Sequence, residues 1–326
     1  MLKWQEILAM PGQFVFCKDM QFENLKDCRS ISKEDFQMLR INNKLTLEHA
    51  FVLYAINSLG HATNDMIINW LKLYAKYNEK KAVPELNASR LKKLLKELLR
   101  TGMILGVDYI NNGAVFNIYT CSSYGHIFFK NTLDMSFASY DDNAIFHAEV
   151  ETFKRLTTNS VFLRLAECGI CKGATISGKV QFGNYMKFSS FVYASLEMEF
   201  DGQTVVLLIE PISFNVNSDI TSETELDFHV KNRLDKIKEI CEKNKKDKGD
   251  PIIPIFCVDD VNGIKKLSKI CSAVKTTDIY RKSLYTSEKL LRMSKGDPAI
   301  SLLTMSWSGE KTSINKAGEN WFNIWK

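Results

Sequence analysis

Apolar positions in the first half of the chain recur at helical spacing. In TLEHAFVLYAINSLG, Leu47, Ala50, Leu53, Tyr54 and Asn57 line one face, and Gly60 can close the helix in left-handed backbone. Thr63-Asn64-Asp65 caps a second helix, DMIINWLKLYAKYNEKK, whose Ile67, Trp70, Leu71 and Tyr74 form one stripe, and Pro84 breaks it. Asn87 precedes a third, ASRLKKLLKELLRTG. Leu91, Leu94, Leu95, Leu98 and Leu99 share one face, while Ser89, Arg90, Lys92, Lys93, Lys96 and Arg100 share the other, with Glu97 the only acid. Gly102 ends this helix. Two β-like runs follow, MILGVDYI and AVFNIYT, joined by Asn111-Asn112-Gly113; Asn-Gly tolerates the positive φ of a tight hairpin turn. Upstream, Ser32 and Asp35 mark a helix start in SKEDFQMLRIN.

The second half changes period. After the polar connection DMSFASYDDNA, Asp141 or Asp142 starts a helix through NAIFHAEVETFKRLTTN, with Ile145, Val150 and Phe153 apolar and Glu149 and Glu151 outward. Between Val180 and Phe200 the residues alternate, Val192, Ala194, Leu196, Met198 and Phe200 against Tyr193, Ser195, Glu197 and Glu199, which is a half-buried strand. Asp201-Gly202 turns into QTVVLLIEPISF, an apolar run suited to the centre of a sheet. ELDFHVKNRLDKIKEICEKN is a crossover helix, KKDKGD a solvated loop, IIPIFCVDD a further buried strand and NGIKKLSKICSAV its helix. The pattern predicts an α/β protein: an extension over 1–43, a helical domain with a hairpin over 44–130, a mixed-sheet α/β domain over 141–280, and a C-terminal segment over 281–326. That last segment carries Trp307, Trp321 and Trp325, expected to pack on the core.

Composition narrows the classes. With 326 residues, 45% hydrophobic and 25% charged, the chain is neither disordered nor collagen-like nor a disulfide scaffold. No apolar run reaches the ~20 residues of a membrane span, and MLKWQEILAMPGQFVFCKD lacks a signal-peptide pattern, so a cytoplasmic location is expected. The eight cysteines are scattered; Cys168 and Cys171 form a single close pair with no second pair to complete a zinc site, and are expected to be structural. Net charge is +5, and Lys44 to Lys130 holds 11 Lys and Arg against 6 Asp and Glu, so the whole excess lies there. That bias points to a polyanion-facing module.

Three helices followed by a hairpin, with a basic third helix, resemble a winged helix-turn-helix domain. The resemblance implies binding to double-stranded DNA, with the third helix in the major groove and the hairpin as a wing. The implied DNA contacts are Ser89, Arg90, Lys92, Lys93, Lys96 and Arg100 on the helix, and Asn111 and Asn112 at the wing.

The chain as a whole resembles the replication-relaxation family of plasmid and mobile-element proteins. His147 in FHAEVETFKRL, LLIEPI with Glu210, and IIPIFCVDDVNGIKKLSKI carry the likeness. It implies a second domain similar to a degenerate PD-(D/E)XK nuclease core. In active nucleases of that kind an Asp on one strand and a Glu on the next bind Mg²⁺, and a Lys two residues after the Glu assists water. Here Glu210 stands at the Glu position, Tyr193 at the Asp position and, after Pro211, Ile212 at the Lys position. No catalytic residue, metal or cofactor is therefore expected, and Glu210 reads as a polar residue at a strand end.

No GxxxxGK[ST], strand-following GxGxxG, GxSxG or His-x-His motif occurs. His61, His126 and His229 read as structural, and His147 as an inter-domain hydrogen-bonding residue. The expectation is a non-enzymatic double-stranded-DNA-binding protein of a bacterial plasmid, phage or mobile element, acting in replication, transfer or transcription control. Its α/β domain or C-terminal segment would take a protein partner or a second copy, with no membrane contact. The alternatives are a Mg²⁺-dependent nuclease with a carboxylate migrated to Glu197, Glu199 or Asp201, a protein-interaction adaptor, and a transcription factor outside any mobile element.

Overall fold

The computed structural model describes residues 22–26, 32–42, 44–78, 82–111, 114–135, 149–185, 187–214, 223–258, 261–273, 278–294, 297–308 and 311–324. They fall in an N-terminal helical unit followed by a C-terminal α/β unit on a mixed sheet, divided between Thr152 and Phe153.

In the first unit, β1 (Phe22–Lys26) and α1 (Lys33–Ile41) precede α2 (Leu47–Leu59), α3 (Asn64–Tyr77) and α4 (Ala88–Arg100). The hairpin β2 (Ile104–Asn111) and β3 (Ala114–Cys121) follows, then α5 (Ser123–Thr132). The helices assemble around α2, which is buried on nearly all sides through Phe51, Val52, Leu53, Ala55, Ile56 and Leu59, while α3 and α4 each turn one apolar stripe inward, with Ile67 of α3 and Leu91, Leu94 and Leu98 of α4 fully buried. Gly102 has the positive φ, 67°, expected after α4. Gly60 also has a positive φ, 70°, but with ψ of −55° it forms a tight turn in which the His61 N–H donates to the Leu59 carbonyl at 2.8 Å, rather than a left-handed helical cap. Ala62, between α2 and α3, exchanges both backbone hydrogen bonds with Tyr119 of β3, at 3.0 and 2.9 Å. That bridge ties the hairpin to the helices. The residues expected to be an extension supply β1, which pairs antiparallel with β2. The unit also runs on past Lys130, through α5, whose start is capped by Ser122 Oγ accepting the Gly125 N–H at 3.2 Å.

The second unit opens within α6 (Glu149–Ala166), followed by the hairpin β4 (Ile170–Phe182) and β5 (Phe188–Phe200). Then come β6 (Gln203–Ile212), α7 (Glu223–Lys246), β7 (Ile252–Val258), α8 (Val261–Ala273), α9 (Asp278–Arg281) and β8 (Leu284–Ser287). The chain continues through α10 (Glu288–Met293), α11 (Pro298–Ser301), β9 (Leu303–Ser308) and β10 (Lys311–Lys316). The sheet has seven strands in the order β10-β9-β8-β7-β6-β5-β4, with β6, β7 and β8 parallel to one another and the outer strands antiparallel. Parallel neighbours need crossovers, and α7 and α8 supply them. Their apolar residues, among them Leu234, Ile237, Leu267 and Ile270, share one core with Phe256 and Tyr285 of the central strands.

Two sequence expectations change here. The alternating run is preceded by a whole additional strand, β4, and positions 281–326 are not a separate segment, because β8, β9 and β10 continue the sheet. Trp321 is buried, its ring 5.2 Å from that of Phe200 at the end of β5, with Phe322 stacked on the same ring at 4.7 Å. Trp325, His147, and the proposed helix start at Asp141 or Asp142 lie outside the described residues.

Candidate nucleic-acid interface

The basic helix α4 is held by its ends and by two polar contacts to α2. Asn87 Oδ1 accepts the Arg90 N–H at 2.8 Å, satisfying one of the free donors at the helix start. Thr101, after the last turn, donates its hydroxyl to the Glu97 carbonyl at 2.9 Å. Across the helices, Arg90 forms an ion pair with Glu48, its Nε donating to Oε2 at 3.0 Å. The hydrogen bond from Arg90 holds the Glu48 carboxyl below its ordinary value.

Beside this pair His49 is buried, with Nε2 and Glu97 Oε2 3.0 Å apart. The Thr46 backbone N–H donates to Nδ1 at 3.0 Å, so Nδ1 is the acceptor and Nε2 carries the proton given to Glu97. Burial holds the imidazole below its ordinary value of 6.5, although Glu97 acts in the opposite direction.

These contacts decide what α4 presents to solvent. Glu97, its only acid, is engaged by His49, and Arg90, one of the five basic residues expected to meet DNA, is engaged by Glu48. Lys92, Lys93, Lys96 and Arg100 are exposed and make no ion pair among the described residues, and Ser89 is exposed beside them. Lys92, Lys96 and Arg100 are four apart and therefore adjacent on the helix surface, where each like-charged pair costs about 0.2–0.5 kcal/mol. Asn111 ends β2 opposite Ala114, and Asn112 lies outside the described residues.

In the second unit, Glu210 sits on β6 with 1% of its surface exposed, more deeply buried than a polar strand end would be. Arg233 of α7 donates Nε to its Oε1 at 2.6 Å, and the same guanidinium lies over the Tyr193 ring, 5.4 Å from its centre. Burial pushes the Glu210 carboxyl up to about 7, against the pull of Arg233. Thus Glu210 and Tyr193, the residues at the two expected carboxylate positions, do meet, but around an arginine. Ile212 is buried in the core. Glu197 is exposed, and Glu199 is paired with Lys172.

Cys168 is exposed after α6, its thiol donating to the Arg164 carbonyl at 3.2 Å, and Cys171 lies in β4, its thiol donating to the Gly173 carbonyl at 3.4 Å. Among the described residues no group of three His, Cys, Asp or Glu is arranged to hold a metal ion, and no helix is long and apolar enough to cross a membrane. His61 and His126 are buried in the first unit, and His229 is exposed on α7. Compared with known proteins, the chain matches no family model, no curated protein and no solved structure.

The His49 cluster has a pH signature. Because the folded imidazole titrates below 6.5, its contribution to stability is complete above that value and is lost as pH falls through the folded value. Protonation of Nδ1 also removes the acceptor of the Thr46 N–H. Thermal unfolding followed by circular dichroism should show wild type losing more stability on acidification below 6.5 than His49→Gln. Parallel pH profiles for the two proteins would refute the assignment.

Proposed function

We propose that the protein binds double-stranded DNA through α4 and is not an enzyme. The observation that carries this reading is the set of four exposed cations on α4 that make no ion pair among the described residues, Glu97 and Arg90 being engaged elsewhere. Three helices, the strand-like bridge at Ala62 and the β2–β3 hairpin resemble a winged helix, which supports the major groove as the partner of this face. In that geometry Lys92, Lys93, Lys96 and Arg100 neutralise phosphates and Ser89 reaches base edges. The likeness to the replication-relaxation family extends the proposal to a protein of a plasmid, phage or mobile element, working in replication, transfer or transcription control in the cytoplasm. The α/β unit would then recruit a protein partner or a second copy.

Geometry disfavours a Mg²⁺-dependent nuclease. Glu210 is engaged by Arg233, with Tyr193 rather than a second carboxylate beside it. Glu197 and Glu199 pair with Val206 and Thr204 of β6, four and six positions from Glu210. At about 3.3 Å per residue Glu197 stands roughly 13 Å along the sheet, too far to share an ion that binds its ligands at about 2.1 Å. Asp201, in the turn beyond, is further still. A buried arginine-paired carboxylate also resists gaining a metal, since the guanidinium already supplies the positive charge.

Two measurements test the proposal. In a fluorescence-anisotropy titration with labelled duplex, the triple variant Lys92→Ala, Lys93→Ala, Lys96→Ala should bind more weakly, and its salt slope should fall by roughly 0.9 for each phosphate left without its lysine. Equal binding by wild type and the triple variant would remove α4 from the interface. Supercoiled plasmid incubated with purified protein and Mg²⁺ or Mn²⁺ should stay intact. Metal-dependent nicking that disappears in Glu210→Ala would establish the nuclease reading in its place.

A further inference from the structure

The β4–β5 hairpin does more than extend the sheet. Pairing between β5 and β6 covers only Ala194–Phe200, and the outer half of the hairpin meets α7 instead, with Arg233 over the Tyr193 ring, Lys243 over the Phe188 ring and Asn244 at Gly183. Phe182 and Val192 join Val230, Leu234 and Ile240 of that helix in one core. Ser177, with φ of 45°, lies where this half begins, in unbroken register with β5.

Its tip is fastened to the C-terminal end of α7. Gly183 donates its N–H to Asn244 Oδ1 at 3.1 Å, and Tyr185 donates its N–H to Asp247 Oδ2 at 2.8 Å. The Asn184 side-chain amide reaches the Lys248 carbonyl, and the Asn244 amide reaches the Asp250 carbonyl at 2.8 Å. Asn244 and Asp247 are buried. Gly183 has φ of 85°, and a Cβ there would overlap the Asp247 carboxylate, so only glycine permits this approach.

The fastening uses backbone groups and buried side chains, and leaves outside it a Tyr185 ring that is 79% exposed. Around the ring's segment stand Lys187, Lys245, Lys246 and Lys248, all exposed and without an ion pair among the described residues. The local acids are largely engaged: Glu239 by Lys243, Glu242 by Lys238, and Asp247 by the Tyr185 N–H, leaving Asp250 exposed. A solvent-facing aromatic on an anchored stretch of backbone, among such cations, suits a polyanion that also offers flat faces. Bases in a duplex hide those faces; unpaired bases expose them.

We propose that the hairpin tip and the end of α7 form a binding site for single-stranded nucleic acid, with Tyr185 stacking on an unpaired base and the four lysines meeting the flanking phosphates. The site is separate from α4 and goes beyond duplex binding. Because the backbone at Gly183 and at Tyr185 is anchored in the unliganded protein, the segment that carries the ring is in place before the strand arrives, which lowers the ordering cost of binding.

The test is anisotropy of a labelled oligo-dT, longer than the ~4–16 nucleotides of a typical single-strand site, titrated with the full chain. Tyr185→Ala should weaken binding at least about fivefold, while Tyr185→Phe, which keeps the ring, should bind as wild type does. Changing Lys187, Lys245, Lys246 and Lys248 to Gln should lower the salt slope by about 0.7 for each phosphate left without its lysine. The triple α4 variant should bind oligo-dT unchanged, so failure of the duplex reading would not be mistaken for failure of this one. Absence of oligo-dT binding by wild type, equal binding by Tyr185→Ala, or an equal weakening on duplex and oligo-dT in Tyr185→Ala would overturn the proposal.

Discussion

The join between α2 and α4 governs the character of the N-terminal unit. Leucines bury one face of α4, but burial alone would leave Glu97 and Arg90 on the surface, an acid and a base among four other cations. His49 and Glu48 draw both toward α2. The buried imidazole needs Thr46 and Glu97 as partners, since a polar ring left unsatisfied there would cost roughly 1–3 kcal/mol. The result is a helix whose solvent face carries Lys92, Lys93, Lys96 and Arg100, with Glu97 turned to His49 rather than to any of them. Packing and electrostatics thus act together, one contact setting both the orientation of the helix and the charge it displays.

The C-terminal unit treats charge in the opposite way. Its central carboxylate, Glu210, is sealed against Arg233 and Tyr193 inside the sheet–helix layer. Such a pair is weak evidence for stability, because desolvation offsets much of the attraction, yet removing either partner strands the other. It does fix α7 against β5 and β6 at one point. The hairpin tip, fastened to Asn244 and Asp247, fixes the far end of the same helix. Between these two points α7 is held along its length, and the cations left over lie at its outer end.

Much of this was legible in the sequence where burial imposes a period. The α4 leucines and the strands β6 and β7 follow from one-sided or complete burial, and the Asn87 cap, Gly60 and Gly102 from local side-chain and backbone chemistry. β4 was not legible because it is an edge strand, partly exposed on both faces and interrupted by Gly173, Ser177 and Gly178, so no alternation develops. β1, of five residues, and β8, of four, are too short for a period to stand out. For the α4 face, charge was readable but partnership was not. Arg90 looked equivalent to Lys93 until Glu48, on another helix, distinguished them. The only hint was the spacing of Thr46 and His49, three residues apart at a helix start.

The central proposal is that α4 presents to duplex DNA four exposed cations that make no ion pair among the described residues. An equilibrium titration of the full chain with labelled duplex at several salt concentrations tests it most directly. If each cation neutralises one phosphate, log K should fall linearly with log salt, with a slope near −0.9 per phosphate and therefore roughly −3.6. Absence of binding at low salt, or an affinity indifferent to salt, would contradict the account.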